Sequence, residues 1–291
     1  MANLKEIRIR ISSTMGTQQI TKAMKLVSAT KLRRAQGAIT QMRPYANKLF
    51  GMLGNLAGSV EDESLGRYFD NREIKKVLVV VLTSDRGLCG AFNSNVIKKT
   101  RALLENKYAH LPKQNVTLLC IGKKGAEFFI KAGYKVDTSY RELFQRLDAA
   151  NAFEAGEYAV KAFLNGEYDR VDLVYNQFKN AATQILKDEQ FLPVDLDAMK
   201  GKESNVNYIF EPGKVEILND LIPRAMKTKF YRALLDSFAS EHGARMISMD
   251  KATDNAGELL KALRLKYNQA RQAAITNEIS EIVGGAAALS K

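Results

Sequence analysis

The sequence has few of the residues from which metal sites and catalytic sites are usually built. Among its 291 residues there are no tryptophans, two cysteines, two histidines and five prolines. Cys89 and Cys120 lie inside or beside apolar runs, which indicates small buried side chains rather than a disulfide or a metal pair. His110 and His242 are far from the cysteines and from each other in sequence, so neither has metal-ligand spacing. We therefore predict no metal, no cofactor and no catalytic residue.

Long apolar runs are also missing. No stretch approaches the ~20 residues that a membrane-spanning helix requires, and Met1 leads into charged residues without the apolar core of a signal peptide. We expect a soluble, cytoplasmic chain in a reducing compartment, one that reaches a membrane only by docking on a membrane complex.

Acidic residues are scarce at the N-terminal end. Residues 1–58 hold ten basic residues and one acidic residue, Glu6, whereas residues 59–212 hold 22 of each sign and residues 213–291 hold 12 basic and 9 acidic residues. The net charge of +12 therefore lies mostly in the N-terminal arm, which is +9. This predicts an acidic partner, which could be nucleic acid, an anionic membrane surface or acidic protein loops. No aromatic stacking platform accompanies these charges, which disfavours nucleic acid.

Proline is rare where apolar residues recur at helical spacing. Between Leu4 and Leu56 the only proline is Pro44. One apolar seam in this segment steps by three and four residues, as in a left-handed coiled coil, and consists of Leu32, Ala35, Ile39, Met42, Ala46, Leu49, Leu53 and Leu56. Two further groups have the same spacing on shifted phases, namely Ile20, Met24 and Val27, and Leu4, Ile7 and Ile11. The shifts predict an interrupted coil.

The C-terminal segment has a matching seam and no proline after Pro223. The seam consists of Met246, Met249, Thr253, Ala256, Leu260, Leu263, Tyr267, Ala270 and Ala274. It continues one position out of phase at Ile275, Ile279, Ile282, Ala286 and Leu289. A stripe on so long a helix has to be covered by another long helix, and the N-terminal helix in antiparallel orientation is the obvious partner.

Between the two arms, buried-strand patterns alternate with helical patterns. Strands are predicted at residues 77–82, 115–121 and 171–176, with a strand-like return at 183–192 and a possible last strand at 207–211. Helices are predicted at residues 93–107, 126–131 and 151–164. Such alternation is typical of a largely parallel sheet. The predicted fold class is therefore α/β, a long antiparallel coiled coil of the terminal helices plus a Rossmann-like central α/β domain, divided at residues 1–58, 59–212 and 213–291.

A glycine-containing loop at residues 83–90 follows the first predicted strand, where a nucleotide enzyme would hold phosphate. Its spacing lacks the G-x-G-x-x-G pattern, and residues 121–125 lack the G-x-x-x-x-G-K-[ST] pattern. We interpret Gly87 and Gly90 as turn residues that leave Asp85 and Arg86 to cap, pair or contact an interface. Two alternatives stay open here, a coiled-coil nucleic-acid binder and an α/β nucleotide enzyme.

Six segments, taken together, resemble the gamma subunits of F-type ATP synthases. They are ITKAMKLV at 20–27, KLRRAQ at 31–36, SDRGLCG at 84–90, SEHGARM at 240–246, YNQARQA at 267–273 and ITNEISEIVGGA at 275–286. The resemblance implies a non-catalytic rotor shaft of the bacterial type, which couples proton-driven rotation of the c ring to conformational cycling of the catalytic beta subunits for ATP synthesis or hydrolysis. It also implies a peripheral position on the cytoplasmic side of the inner (plasma) membrane and no nucleic-acid partner.

The resemblance further implies which residues contact partners. Contacts with the alpha and beta subunits are expected at Met24, Lys25, Arg245, Arg271, Gln272, Thr276 and Glu278. Contacts of the foot with the epsilon subunit and the c-subunit ring are expected at Tyr208, Ile209, Phe210 and Glu211. Gly16 stands where the family usually has asparagine, and no cysteine-bearing insertion is present, so we expect no thiol regulation.

Overall fold

The computed structural model describes residues 4–57, 66–195, 211 and 213–289. Its longest elements are helix α1 (Leu4–Ala57), with 54 residues, and helix α5 (Lys214–Leu289), with 76 residues. At ~1.5 Å per residue they are about 80 Å and 115 Å long. Nowhere along the described helices is there an apolar stretch of the length that crossing a bilayer demands. The predicted pair of long terminal helices is confirmed.

The described part of the chain between these helices contains five strands and three helices. The strands are β1 (Val77–Leu82), β2 (Val116–Ile121), β3 (Lys135–Asp137), β4 (Arg170–Phe178) and β5 (Gln184–Leu192). The helices are α2 (Phe92–Asn106), α3 (Lys123–Lys131) and α4 (Ala149–Leu164), with short 3-10 turns at Lys113–Asn115 and Leu143–Arg146. The pattern in the sequence missed β3 because it is only three residues long and carries no apolar run. The possible strand at 207–211 lies, apart from Glu211, outside the described residues.

The sheet has the order β3-β2-β1-β4-β5, in which the first four strands are parallel and β5 is antiparallel to β4. From β1 the chain winds outward through β2 and β3, and it then returns to form β4 on the other side of β1. The carboxyl ends of β1 and β4 therefore lie side by side where the direction of winding reverses. In open α/β sheets this is the usual position of a ligand.

Strand β1 is buried on both faces, as its continuous apolar run predicts. Successive side chains of a strand point to opposite faces. The odd-numbered residues from Val77 to Val81 share one core with Val96 of α2 and Phe129 of α3. The even-numbered residues share a second core with side chains of α1, α4 and α5, including Leu53 and Ile222. Both faces of the sheet are thus covered by helices.

The chain forms two compact units. One comprises Met1–Ser28 and Met246–Lys291, which are the ends of both long helices. The other comprises Ala29–Arg245 and contains the sheet. The domain boundaries predicted at residues 58 and 212 fall in stretches outside the described residues, so the division into three segments stays a prediction.

In the first unit, α1 and α5 run antiparallel in a single register. Arg8 donates from Nη2 to the hydroxyl of Tyr267 at 2.9 Å, and Lys25 forms an ion pair with Asp250. From Arg8 to Lys25 and from Asp250 to Tyr267 the two helices advance by the same 17 residues. Neither helix therefore skips a residue over this stretch.

The predicted phase shift in α1 is wrong. Ile20 and Val27 are 63% and 57% exposed, whereas Thr21 and Ser28, one position later, are 8% and 2% exposed. The hydroxyl oxygens of Thr21 and Thr253 are 2.8 Å apart. One unbroken series of steps of three and four runs through buried and half-buried positions, namely Leu4, Ile7, Ile11, Thr14, Gln18, Thr21, Lys25, Ser28, Leu32, Ala35 and Ile39, and the other half-buried positions flank it. A search for apolar residues missed it because the middle of this seam is polar.

The seam of α5 is confirmed from Met246 to Ala270, where all eight predicted positions are buried or half-buried. Its predicted continuation through Ala274 and Ile275 is wrong, since every residue at positions 271–286 is exposed. In the register defined by Arg8 and Tyr267, the first described residue of α1 lies opposite position 271. Beyond that level, α5 has no partner among the described residues.

The corrected register predicts which cysteine pair can be oxidised. We expect a Thr21→Cys/Thr253→Cys variant to form a disulfide under mild oxidation, because the two Oγ1 atoms are 2.8 Å apart. The matched Ile20→Cys/Thr253→Cys variant should remain reduced, because Ile20 points to solvent. Both variants carry alanine at Cys89 and Cys120, and mobility on a non-reducing gel gives the result. If only the Ile20→Cys/Thr253→Cys variant formed the disulfide, the result would support the phase-shifted seam and contradict the single register of the two helices.

Candidate functional site

Helix α5 occupies the ligand position at the carboxyl ends of β1 and β4. Ser240, on α5, is fully buried and donates its hydroxyl to the carbonyl of Asn176 in β4 at 3.0 Å. One turn further, Gly243 faces the β4–β5 turn so closely that a Cβ atom would lie 3.1 Å from the Cα atom of Ala181. The crevice where such sheets hold nucleotides is therefore filled by the chain's own helix.

Arg245 is the central residue of this contact and is 7% exposed. Its Nη1 atom forms an ion pair with the carboxylate of Glu241, one turn earlier on the same helix, at 2.5 Å. Its Nη2 atom donates to the carbonyls of Arg86 and Gly87 at 2.9 and 3.3 Å. Both carbonyls belong to the loop that follows β1, so Arg245 joins α5 to that loop.

The loop itself is held by a small hydrogen-bond network. Asn93 accepts from the backbone N–H of Ser84 at 2.9 Å and donates to the Ser84 hydroxyl at 2.7 Å, and that hydroxyl donates to the Arg86 carbonyl at 2.7 Å. The positive φ angles fall at Leu88 (62°) and Gly90 (59°). Gly87 lies in the bend of this loop and Gly90 in its turn, as the interpretation of both as turn residues predicts. Leu88 is a second left-handed position that the sequence pattern did not indicate. The left-handed backbone conformation of Leu88 costs about 1 kcal/mol or more. Its side chain is 64% exposed.

Burial determines the protonation of the groups around Arg245. Desolvation raises the pKa of Glu241, and the neighbouring Arg245 opposes that shift. Desolvation, with repulsion from Arg245 and Lys31, lowers the pKa of His242 to about 3, so its imidazole is neutral at pH 7. Desolvation also raises the pKa of the Cys89 thiol. The cluster therefore holds neither a thiolate nor an imidazole that changes charge near pH 7, and its electrostatics suit a structural contact.

The residues predicted to contact alpha and beta subunits lie in three environments. Arg245 is buried among the groups just described. Lys25 pairs with Asp250, and because both side chains are more than a third exposed this pair contributes at most about 1 kcal/mol. Met24 is half-buried beside it in sequence. The other four lie on the exposed end of α5, and they are Arg271, Gln272, Thr276 and Glu278.

The residues predicted for the foot are mostly outside the described part of the chain. Glu211 is described and exposed. Tyr208, Ile209 and Phe210 lie outside the described residues. All the partner contacts named from the sequence therefore stay predictions.

The structure adds a feature, namely large apolar side chains on exposed helix faces, most of which the sequence pattern had assigned to the seam. On the end of α5, Ile275, Ile279 and Ile282 are 48%, 55% and 66% exposed, and their spacing puts them on one helix face. On α1, Ile9, Ile20 and Val27 are similarly exposed. Contiguous exposed apolar side chains mark interaction surfaces. The sequence did contain a signal for the exposed end of α5, because the C-terminal helical segment is longer than the N-terminal segment that would have to cover it.

Comparison with known proteins gives a consistent result over the whole chain. The family model described as "ATP synthase" matches residues 3–289. The ATP synthase gamma chains of Cytophaga hutchinsonii and Flavobacterium johnsoniae are 56% and 54% identical over 294 and 290 residues, with 100% of both chains covered in each case.

Two solved structures have a similar fold. One is the central stalk and c ring of the Tetrahymena thermophila mitochondrial ATP synthase, with 26% identity, a TM-score of 0.56, and coverage of 80% of this chain and 99% of that chain. The other is the OSCP/F1/c-ring part of the Euglena gracilis mitochondrial ATP synthase, with 22% identity, a TM-score of 0.68, and coverage of 98% and 94%.

The start of α3 gives a test of how tightly the loop after β1 is packed. At Gly122 the φ angle is +102°, and a Cβ atom would lie 2.0 Å from the carbonyl oxygen of Thr83. We expect Gly122→Ala to lower the free energy of unfolding by about 3 kcal/mol or more, from backbone strain and the clash together. Gly133→Ala is the matched control, because Gly133 also has a positive φ but no atom within 4 Å of its Cβ position.

The control should lose only about 1 kcal/mol. Urea denaturation of both variants gives the two values. Equal losses would contradict the packing described for Thr83.

Proposed function

The chain belongs to the ATP synthase gamma-chain family, and from this premise we propose that it is the rotor shaft that couples proton-driven rotation of a c-subunit ring to conformational cycling of catalytic beta subunits. The chain makes and breaks no bonds itself. It transmits torque between a membrane-embedded ring and a catalytic ring of alternating alpha and beta subunits.

The observation that carries this proposal is the exposed end of α5. Residues 271–286 are exposed throughout, and they include the apolar stripe of Ile275, Ile279 and Ile282. Burying such a side chain is worth about 1.5–3 kcal/mol, so leaving three in water, on a helix end that has no partner in the described part of the chain, is unfavourable. Another subunit has to cover them. A sleeve formed by the alpha and beta subunits fits this requirement, and Arg271 and Glu278 lie on the same helix face as the stripe.

The charge of the first helix supports the same placement. Lys22, Arg33 and Arg34 are exposed on α1, in a segment with a net charge of +9. Acidic loops of the catalytic subunits provide the complementary partner. Met24 and Lys25, and on α5 Gln272 and Thr276, are the further residues that we assign to this contact, together with Arg245.

Coupling follows from the asymmetry of a single shaft among three catalytic partners. At each angle the shaft presents a different surface to each beta subunit, and the difference in contact free energy favours one of its open or closed conformations. A difference of about 1–3 kcal/mol shifts such an equilibrium by a factor of about 5–150. The exposed apolar residues Ile9, Ile20 and Val27 and the exposed basic residues of α1 make the surface of the shaft differ from side to side.

At the opposite end, we assign the contact with the epsilon subunit and the c ring to the segment from Tyr208 to Glu211. The chain is then a peripheral subunit on the cytoplasmic side of the inner membrane, held there only through the complex. The similar Tetrahymena structure, at 26% identity, contains a central stalk together with a c ring, and this supports the assignment.

The rival reading as a nucleotide enzyme is disfavoured by the crevice between β1 and β4. A nucleotide would have to displace Ser240 and Arg245, which are buried and hydrogen-bonded there. A thermal shift of several degrees with ATP or NAD would favour the rival. The nucleic-acid rival predicts steep salt-dependent binding of the isolated chain to DNA or RNA, and absence of binding at moderate salt removes it.

The direct test is reconstitution. We expect the chain to co-purify with alpha and beta subunits and to raise their ATP hydrolysis. A matched preparation with a chain that ends at Ala270 should lose most of that increase, because the exposed end of α5 is gone. Full stimulation by the truncated chain would count against the proposed sleeve contact.

A single substitution tests the charge on that end. We expect Arg271→Gln to lower the rate of ATP synthesis about fivefold or more, the lower end of a typical coupling energy, with circular dichroism unchanged because the side chain is exposed. Arg264→Gln is the matched control, since Arg264 is also exposed on α5 but lies in the paired stretch. Unchanged synthesis in the Arg271 variant would remove its proposed role.

A further inference from the structure

The place where an open α/β sheet usually binds its ligand is filled here by a helix that belongs to the proposed shaft. Three contacts seat the helix, namely the hydrogen bond of Ser240 to β4, the close approach of Gly243 to the β4–β5 turn, and the bonds of Arg245 to the loop after β1. Ser240 and Gly243 position the helix through one neutral hydrogen bond and through close packing. Of these three contacts, only that of Arg245 involves a charged side chain.

We propose that Arg245 and Glu241 form an internal clamp that fixes α5 to the loop at residues 84–90, so that torque passes between α5 and the α/β domain. Arg245 is thus a positioning residue that acts through the loop, in addition to any contact with a catalytic subunit. This inference rests on the proposed function, because it concerns how the shaft transmits torque within one chain.

The geometry of the clamp depends on both partners. Glu241 holds one edge of the guanidinium through Nη1, and Nη2 is left to donate to the carbonyls of Arg86 and Gly87. Arginine alone provides several donors in a fixed planar arrangement, which a lysine ammonium does not reproduce. Removal of one charge leaves the other buried without its partner. For a buried ion pair this is more destabilising than replacing both partners.

The loop needs such a partner from outside. Leu88 has a left-handed φ angle, a conformation that persists only where neighbouring contacts hold it. The internal bonds among Ser84, Asn93 and the Arg86 carbonyl hold the first half of the loop. The Gly87 carbonyl, directly before Leu88, accepts from Arg245. Loss of the clamp should therefore loosen the loop around Leu88.

The test is a double-mutant cycle in the assembled complex in inverted membrane vesicles. Arg245→Gln, Glu241→Gln and the double variant are compared by the coupling ratio, the protons pumped per ATP hydrolysed. We expect each single variant to lower this ratio about threefold or more, and the double variant to fall no further, because all three break the same clamp. Arg224→Gln is the matched control, since Arg224 forms the same i, i+4 pair with Asp220 on the exposed face of α5.

Hydrogen exchange of the complex provides the second readout. Amides of residues 84–90 should exchange about tenfold faster in Arg245→Gln and Glu241→Gln and at the unchanged rate in Arg224→Gln. Arg245→Lys should stay closer to Arg245→Gln than to the unsubstituted chain, because charge alone does not rebuild the bonds to the loop.

The outcomes separate the clamp from its alternatives. A lower coupling ratio in Arg245→Gln with a normal ratio in Glu241→Gln would assign Arg245 to a partner contact and overturn the clamp. If the Arg245→Gln variant does not assemble, Glu241→Gln is compared with Ser240→Ala, which removes only the neutral hydrogen bond. A lower coupling ratio in Glu241→Gln than in Ser240→Ala supports the clamp, and equal ratios overturn it. If the unsubstituted chain itself neither assembles nor couples, the proposed function fails and the clamp is refuted with it as a torque device. Hydrogen exchange of the chain alone, with and without Arg245→Gln, then still shows whether Arg245 holds the loop.

Discussion

The antiparallel pairing of α1 and α5 in one register is the constraint on which the other features depend. Within the unit formed by the helix ends, the Arg8–Tyr267 and Lys25–Asp250 contacts share the same offset. Within the other unit, Leu49 and Leu53 of α1 share a core with Ile222 and Met226 of α5. Because both helices are continuous, the register decides which residues are covered and which face solvent. It also decides that the last residues of α5 extend past the first described residue of α1.

The first part of the coil inverts the usual distribution of polar and apolar residues. Thr21 and Ser28 lie in the seam, while Ile20 and Val27 are exposed. A seam of this kind forgoes apolar burial, and stability alone gives no reason for the exposed isoleucine and valine. Proteins depart from local consistency of this kind at functional sites. We interpret the inversion as the consequence of using the outer face of α1 as a contact surface.

The central domain illustrates why a fold does not by itself indicate an activity. The sheet has the strand order and the crevice of a nucleotide-binding domain, yet Ser240, Gly243 and Arg245 of α5 fill that crevice. The sheet thus serves as a seat for the long helix. The neutral His242 and the raised pKa of the Cys89 thiol agree with this, because neither group is prepared for proton transfer or nucleophilic attack.

The sequence by itself determined the fold class, because helical and strand periodicities are local properties that the side chains carry with them. The run from Val77 to Leu82 already identified a strand covered on both faces, and the seam from Leu32 to Leu53 identified a paired helix. Only the tertiary structure decided the register, since the polar seam around Thr21 is recognisable only once Thr253 lies opposite it. It also decided that Arg245 is buried and that Ile275 is exposed. Periodicity along one segment shows which of its faces is apolar, but it does not show which residues distant in sequence come to cover that face, and burial depends on both.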